Sequence, residues 1–138
     1  MTTVATRKKD RIVYWTSTGI IGAIMLWSAY NFNFNPAYKD AFRHLGLPNW
    51  FRIELTVAKI LGSLALLVPK VPTRLKDFAY AGFAIVLLST PVAHLSSGDS
   101  IWLEAGHLFF FVCLVVSYRC YHRWLKGRRQ ASSVNREA

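Results

Sequence analysis

Residues 51–68 read FRIELTVAKILGSLALLV, a run of 18 residues with three charges and an otherwise mainly apolar content. Wound as a helix at ~1.5 Å per residue, it is long enough to cross most of a bilayer core about 30 Å thick. Three companions behave alike: Ile12–Tyr30, Phe78–Leu95 and Ile101–Tyr118, each of 18 or 19 residues. The expected solvent is therefore lipid, in which backbone polar groups are satisfied within helices and any charge inside a span needs an explanation. The expected architecture is all-α, a four-transmembrane-helix bundle over residues 12–118. Basic tails, 1–11 and 119–138, flank it, the first of them mobile.

The charges of the second span have a side. At 100° per residue, Arg52, Thr56, Lys59 and Ser63 fall within about 60° of one another. Glu54, Ala58, Gly62 and Ala65 make an adjoining face. Ile53, Val57, Ile60, Leu64 and Leu67 complete the circle with large aliphatic groups suited to lipid. The polar face is thus predicted to look into the bundle. Lys59, about 12 Å along the helix from Phe51, is too deep to snorkel easily to the surface.

Composition agrees with a membrane chain. Hydrophobic residues make up 53% and charged residues only 17%, against about 25% charged in soluble proteins. The net charge of +10 is distributed by topology. With the four spans as given, 13 of the 17 Lys and Arg lie in the two tails and the connection holding Lys70, Arg74 and Lys76. Lys39 and Arg43 lie on the opposite side. The positive-inside rule then places both termini in the cytoplasm. The basic ends suit anionic lipid headgroups, and no nucleic-acid partner is expected. Cys113 and Cys120, seven apart on one helix and ~10 Å distant, cannot bridge each other. The first span is too long, and lacks the small-residue cleavage site, for a removed signal peptide.

The longest connection, residues 31–50, carries a helix of its own. Asn35 and Pro36 read as N-cap and first helical residue, and Gly46 with Pro48 as the stop. Tyr38, Ala41, Phe42 and Leu45 recur at helical spacing opposite Lys39, Asp40, Arg43 and His44. This predicts a short amphipathic helix on the outer membrane surface. In the first span, Thr18, Gly19, Gly22 and Ala23 supply small-residue pairs that permit close helix packing.

Read by depth, Arg52, Glu54, Lys59, His94, Glu104 and His107 all lie in the outer half of the spans, while the inner halves are nearly pure Leu, Val, Ile, Ala and Phe. The simplest arrangement is a polar pocket opening to the non-cytoplasmic side, with Lys59 paired to Glu54 or Glu104 and a histidine beside them. Glu104-x-x-His107 echoes the helical element of di-iron bundles, but that site needs two such pairs and two further carboxylates. No metal is expected.

Several stretches then carry a resemblance: Leu45–Pro48, Ala58–Pro69, Arg74–Phe83 and Ala93–Asp99, in that order and spacing. Over roughly residues 12–120 the chain resembles the DoxX-like family of small bacterial membrane proteins. The resemblance implies a four-helix integral membrane protein. The wider group is named for a membrane subunit of a thiosulfate:quinone oxidoreductase, and other members associate with redox-defence enzymes or act as membrane chaperones. On the matching positions it points to Lys59, Gly62 and His94. No cysteine pair lies in the outer loops, so thiol chemistry does not carry over.

Two readings of function stand beside each other. In the first, the chain is an accessory, redox-associated membrane subunit whose pocket holds a quinone, a lipid or a partner, such as an oxidoreductase subunit or a second copy. In the second, it is a membrane-embedded enzyme using Glu104 and His107 in acid–base chemistry on a lipid-soluble substrate. Against the second stand the lack of a nucleophile beside a base, of a metal set and of a nucleotide motif. A small transporter or chaperone is a further alternative.

Overall fold

A computed structural model describes the backbone over residues 2–137 and the side chains of residues 8–102 and 105–137. The described chain is all-helical: α1 (Thr2–Phe34), α2 (Pro36–His44), α3 (Asn49–Leu67), α4 (Thr73–Ser96), a 3-10 turn (Ile101–Glu104) and α5 (Ala105–Glu137). The four long helices close a ring in which α1 packs on α3 and α5, and α4 packs on the same two. The α1–α5 seam is the most extensive.

Two helices, over Lys8–Phe34 and Thr73–Ser96, are long and apolar enough to cross a membrane. The other two expected spans differ for physical reasons. Helix α3 carries Arg52, Glu54 and Lys59 within 19 residues. The fourth span opens with the 3-10 turn, and α5 then runs on into a basic half. Over the described residues the basic ends continue α1 and α5 as helix. No proline interrupts either junction, and Lys, Arg and Ala are good helix formers. Asp10 and Arg123 meet at 3.7 Å across them.

Helix α2 forms where the cap signals place it. The Asn35 side chain accepts from the Ala37 N–H at 3.0 Å, and Pro36 occupies the first turn. The helix stops at Gly46, whose φ of 71° is open to glycine at little cost. The N–H of Leu47 then reaches the Phe42 carbonyl and that of Gly46 the Arg43 carbonyl, the paired bonds of a Schellman stop.

The faces of α3 follow the helical angles. Arg52, Thr56, Lys59, Ser63 and Leu66 are buried, while Ile53, Val57, Ile60 and Leu64 are each 39% exposed or more. Exposed apolar side chains continue round the bundle with Trp27, Ile85, Val92, Phe109 and Val112. Water-soluble surfaces rarely carry so continuous an apolar girdle. Inside, Tyr14, Ile21, Met25, Leu66, Phe83 and Leu114 belong to one core. Two glycines let the helices approach. A Cβ on Gly22 would lie 2.9 Å from the Leu67 side chain, and one on Gly62 would lie 2.7 Å from the Phe83 ring.

Candidate functional site

The buried face of α3 brings its cations against the C-terminal part of α1. The Arg52 guanidinium donates to Asn49 Oδ1 from Nε at 3.1 Å and from Nη2 at 2.7 Å. Its Nη1 donates to Asn33 Oδ1 at 3.3 Å and to the carbonyl of Phe32. That carbonyl belongs to the last turn of α1, whose acceptors have no partner within the helix. Arg52 therefore fastens the end of α1 to the start of α3. One turn on, Thr56 donates to the Arg52 carbonyl at 2.9 Å and receives a bond from Asn33 at 3.3 Å.

Lys59 is 5% exposed. Its ammonium donates to Ser28 Oγ at 2.7 Å and lies 3.6 Å from the centroid of the Phe32 ring. A hydroxyl and an aromatic face thus hold the charge, and among the described residues no carboxylate pairs with it. Of the two carboxylates expected beside it, Glu54 is not one that it meets. Glu54 stands five positions away, about 140° round the helix, and its side chain is exposed. The side chain of Glu104 lies outside the described residues. Ser63, on the buried face, is fully enclosed and its Oγ has no hydrogen-bond partner.

His94 lies elsewhere, at the end of α4. Its Nδ1 meets Asp99 Oδ2 at 2.7 Å, while the other oxygen of Asp99 meets His44 Nε2 at 3.2 Å. One carboxylate thereby ties α2 to the turn after α4. Gly98, at φ 84°, allows the chain to double back so that the Asp99 N–H reaches the His94 carbonyl at 3.0 Å. The hydrogen bond from His94, followed by that from His44, holds the Asp99 carboxyl below its usual range. His107 is half-buried in the first turn of α5.

A cavity of about 570 Å³ forms a groove between α3 and α4. Ala58, Lys59, Gly62 and Ala65 form one wall and Gly82, Phe83 and Val86 part of the other. Small residues leave the space. A Cβ added at Gly82 would meet nothing within 4 Å. Of the six residues read from the sequence as one pocket, Lys59 alone lines this groove. It runs from Leu55 to Ala65 on α3 and from Leu75 to Val86 on α4, toward the α3–α4 turn. The expected cavity at the α2 end turns on Glu104, whose side chain lies outside the described residues; the groove between α3 and α4 is apolar apart from Lys59.

The opposite end of the bundle is more polar than its sequence suggests. Lys76, 2% exposed, donates to the Leu66 carbonyl at 3.0 Å and to Tyr14 Oη at 3.3 Å. It thereby caps the C-terminal carbonyls of α3, where a cation is favoured. Tyr14 stacks on Tyr121 with ring centroids 5.1 Å apart. Further along the axis Ser117 Oγ shares hydrogen bonds with Thr18 Oγ1 at 2.6 Å and Tyr80 Oη at 2.7 Å. This buried hydroxyl triad joins α1, α4 and α5, so the nearly pure apolar half expected there is not found. Asp77 meets His122 at 2.9 Å. Among the described residues no group of three His, Cys, Asp or Glu is arranged to hold a metal ion.

Comparison with curated proteins and with solved structures gives no match. Comparison with protein families gives one, the model of the DoxX-like family, over residues 16–117. The match takes in α2, α3, α4 and most of the membrane-length part of α1, together with the first third of α5. With the long apolar helices and exposed apolar girdle, it makes this a small membrane protein. By the extent of that match the chain belongs to the DoxX-like family.

Proposed function

We propose that the protein is an accessory subunit of the bacterial plasma membrane that binds a membrane-dissolved amphiphile, a quinone or a lipid, along the α3–α4 groove. The observation that carries this reading is the groove itself: some 570 Å³ of space between two helices, with Lys59 in its wall. Its rims, among them Leu61 and Phe78, are exposed and apolar. An apolar tail lies along Ala58, Gly62 and Gly82. A carbonyl or hydroxyl oxygen at the head is then within the field of the Lys59 ammonium, whose remaining donors suit such an acceptor.

The Lys and Arg distribution supports four crossings with both termini cytoplasmic. In that orientation the groove starts near mid-membrane, beside Lys59, and runs toward the cytoplasmic α3–α4 turn. The eleven residues Leu55–Ala65 of α3 rise ~15 Å from first to last, about half the hydrocarbon core. A chain of one-leaflet length therefore matches it. The enzyme reading draws no support from the groove, whose wall holds one ionisable group and no acid–base pair.

Two variants test this. Gly82→Phe fills the groove, and its Cβ meets no neighbouring atom within 4 Å. Lys59→Met removes the ammonium and, among the described residues, leaves no buried carboxylate unpaired, so the fold should hold or gain stability. Organic extracts of the purified wild-type protein should contain a quinone or lipid in near-stoichiometric amount by mass spectrometry. Gly82→Phe should lower that amount about tenfold, a change near 1.4 kcal/mol in binding. Equal amounts in the wild type and in a folded Gly82→Phe variant would contradict the proposal.

A further inference from the structure

A second cavity lies at the other end of α3 and has a different chemistry. It encloses about 100 Å³ between α2 and the first turn of α3, lined by Lys39, Phe42, Arg43, Leu47, Asn49 and Arg52. That is room for about three waters at ~30 Å³ each, close to the size of one tetrahedral oxyanion. Three of the six lining residues are cations and none is acidic. Arg52 is 7% exposed, and its partners are amide oxygens and one backbone carbonyl, all neutral. Arg43 meets Asp40 at 3.3 Å, but that pair is freely exposed and offsets little charge. The neighbouring His44 is engaged by Asp99. Glu54 is exposed and does not line the cavity.

The start of α3 adds to the same potential. Pro48 precedes it without a side-chain cap, its carbonyl accepting from the Phe51 N–H at 3.1 Å, and the positive end of a 19-residue helix faces this region. Drawing three cations together around a space, one of them buried, costs free energy unless an anion enters. Asn49, Asn33 and Phe32 already take four N–H bonds from Arg52, so Arg52 offers an anion chiefly its charge, while the exposed Arg43 guanidinium matches a phosphate-type oxygen pair in shape as well as charge.

We propose that this pocket binds a phosphate-type oxyanion, free in solution or carried on a lipid headgroup, through Arg52, Arg43 and Lys39. The site is separate from the α3–α4 groove, which begins at Leu55, and it does not depend on what that groove holds. The anion bridges α2 to α3 and so fixes the amphipathic helix over the end of the bundle.

The test uses the full-length purified protein and the double variant K39Q/R43Q. Both substituted residues are exposed, and neither makes the bonds that hold α1 to α3, so the variant folds. In neutral detergent, inorganic phosphate at about ten times its Kd should raise the melting temperature of the wild type by roughly 4 °C more than sodium chloride at equal ionic strength. The double variant should lose that difference. Should phosphate have no such effect, the lipid source is read in nanodiscs. Phosphatidylglycerol mixed into phosphatidylcholine should then raise the wild-type melting temperature by a similar amount, and the variant's much less. The first result assigns a free oxyanion and the second a headgroup. Equal responses of wild type and variant to both probes, or a chloride effect equal to that of phosphate, would overturn the proposal.

Discussion

Gly62→Leu should lower the stability of the bundle by about 3 kcal/mol or more, the upper range of overpacking in a closely packed core. A Cβ at this position already falls 2.7 Å from the Phe83 ring, before the rest of a leucine is placed. Phe83 is 3% exposed and belongs to the central core, so its ring can shift only toward the groove that it borders. What that shift does not relieve separates the two helices, and the seam between α3 and α4 opens. Leu64→Ala is the matched comparison. Leu64 is 49% exposed on the outward face of the same helix, and its truncation should cost at most about 0.5 kcal/mol. Thermal unfolding in detergent reads both. A larger loss for Leu64→Ala would mean that the faces of α3 are assigned the wrong way round.

Ser117→Val should have an effect of similar size from a different cause. The Ser117 hydroxyl is fully buried and holds the hydroxyls of Thr18 and Tyr80, so its removal takes a partner from both. A buried polar group left unpaired costs about 1–3 kcal/mol, and the extra methyl adds strain at a site with no spare room. A loss of about 2–4 kcal/mol follows, shared among three helices. Ser89→Val, at an exposed position on α4, should change stability by less than about 0.5 kcal/mol. Comparable melting temperatures for the two variants would show that the triad does not hold the bundle.

Much of this arrangement is legible in the sequence, and the reasons are local. Helix α2 announces itself through Asn35, Pro36 and Gly46, each acting on its own turn. The buried face of α3 is readable because Arg52, Thr56, Lys59 and Ser63 repeat at helical spacing. Glu54 illustrates where the same reasoning slips: two positions from Arg52 is about 160° round the helix, too far to share its interior. Lys59 illustrates another limit. Its depth is readable, but its contacts with a serine and a phenylalanine ring on α1, 31 and 27 positions earlier, are not, because only the fold brings them to it.

The groups near the α3–α4 turn escape sequence reading for a third reason. Lys76 sits among Lys70 and Arg74 and reads as one more topological charge. Only the fold brings Leu66 O and Tyr14 Oη to it, the latter from 62 residues away. Thr18 and Ser117 are separated by 99 positions, and nothing local marks either as half of a pair. Asp99 carries a weaker signal. An acidic residue after Gly98, five positions beyond His94, is placed for the chain to fold back on the helix end. The α3–α4 groove follows from small residues, Ala58, Gly62, Ala65 and Gly82, whose gaps do not reveal themselves until two helices are set side by side.

The central claim is that the four long helices cross a bilayer with both ends of the chain on the cytoplasmic side. Reporter fusions measure it most directly, with alkaline phosphatase, active only outside the cytoplasm, and a fluorescent protein, bright only within it. Joined after the C-terminus, the fluorescent protein should be bright and the phosphatase inactive; joined after Ser97, the pattern should reverse. The same pattern at both positions would contradict the account, because an odd number of crossings must separate the turn after α4 from the end of α5.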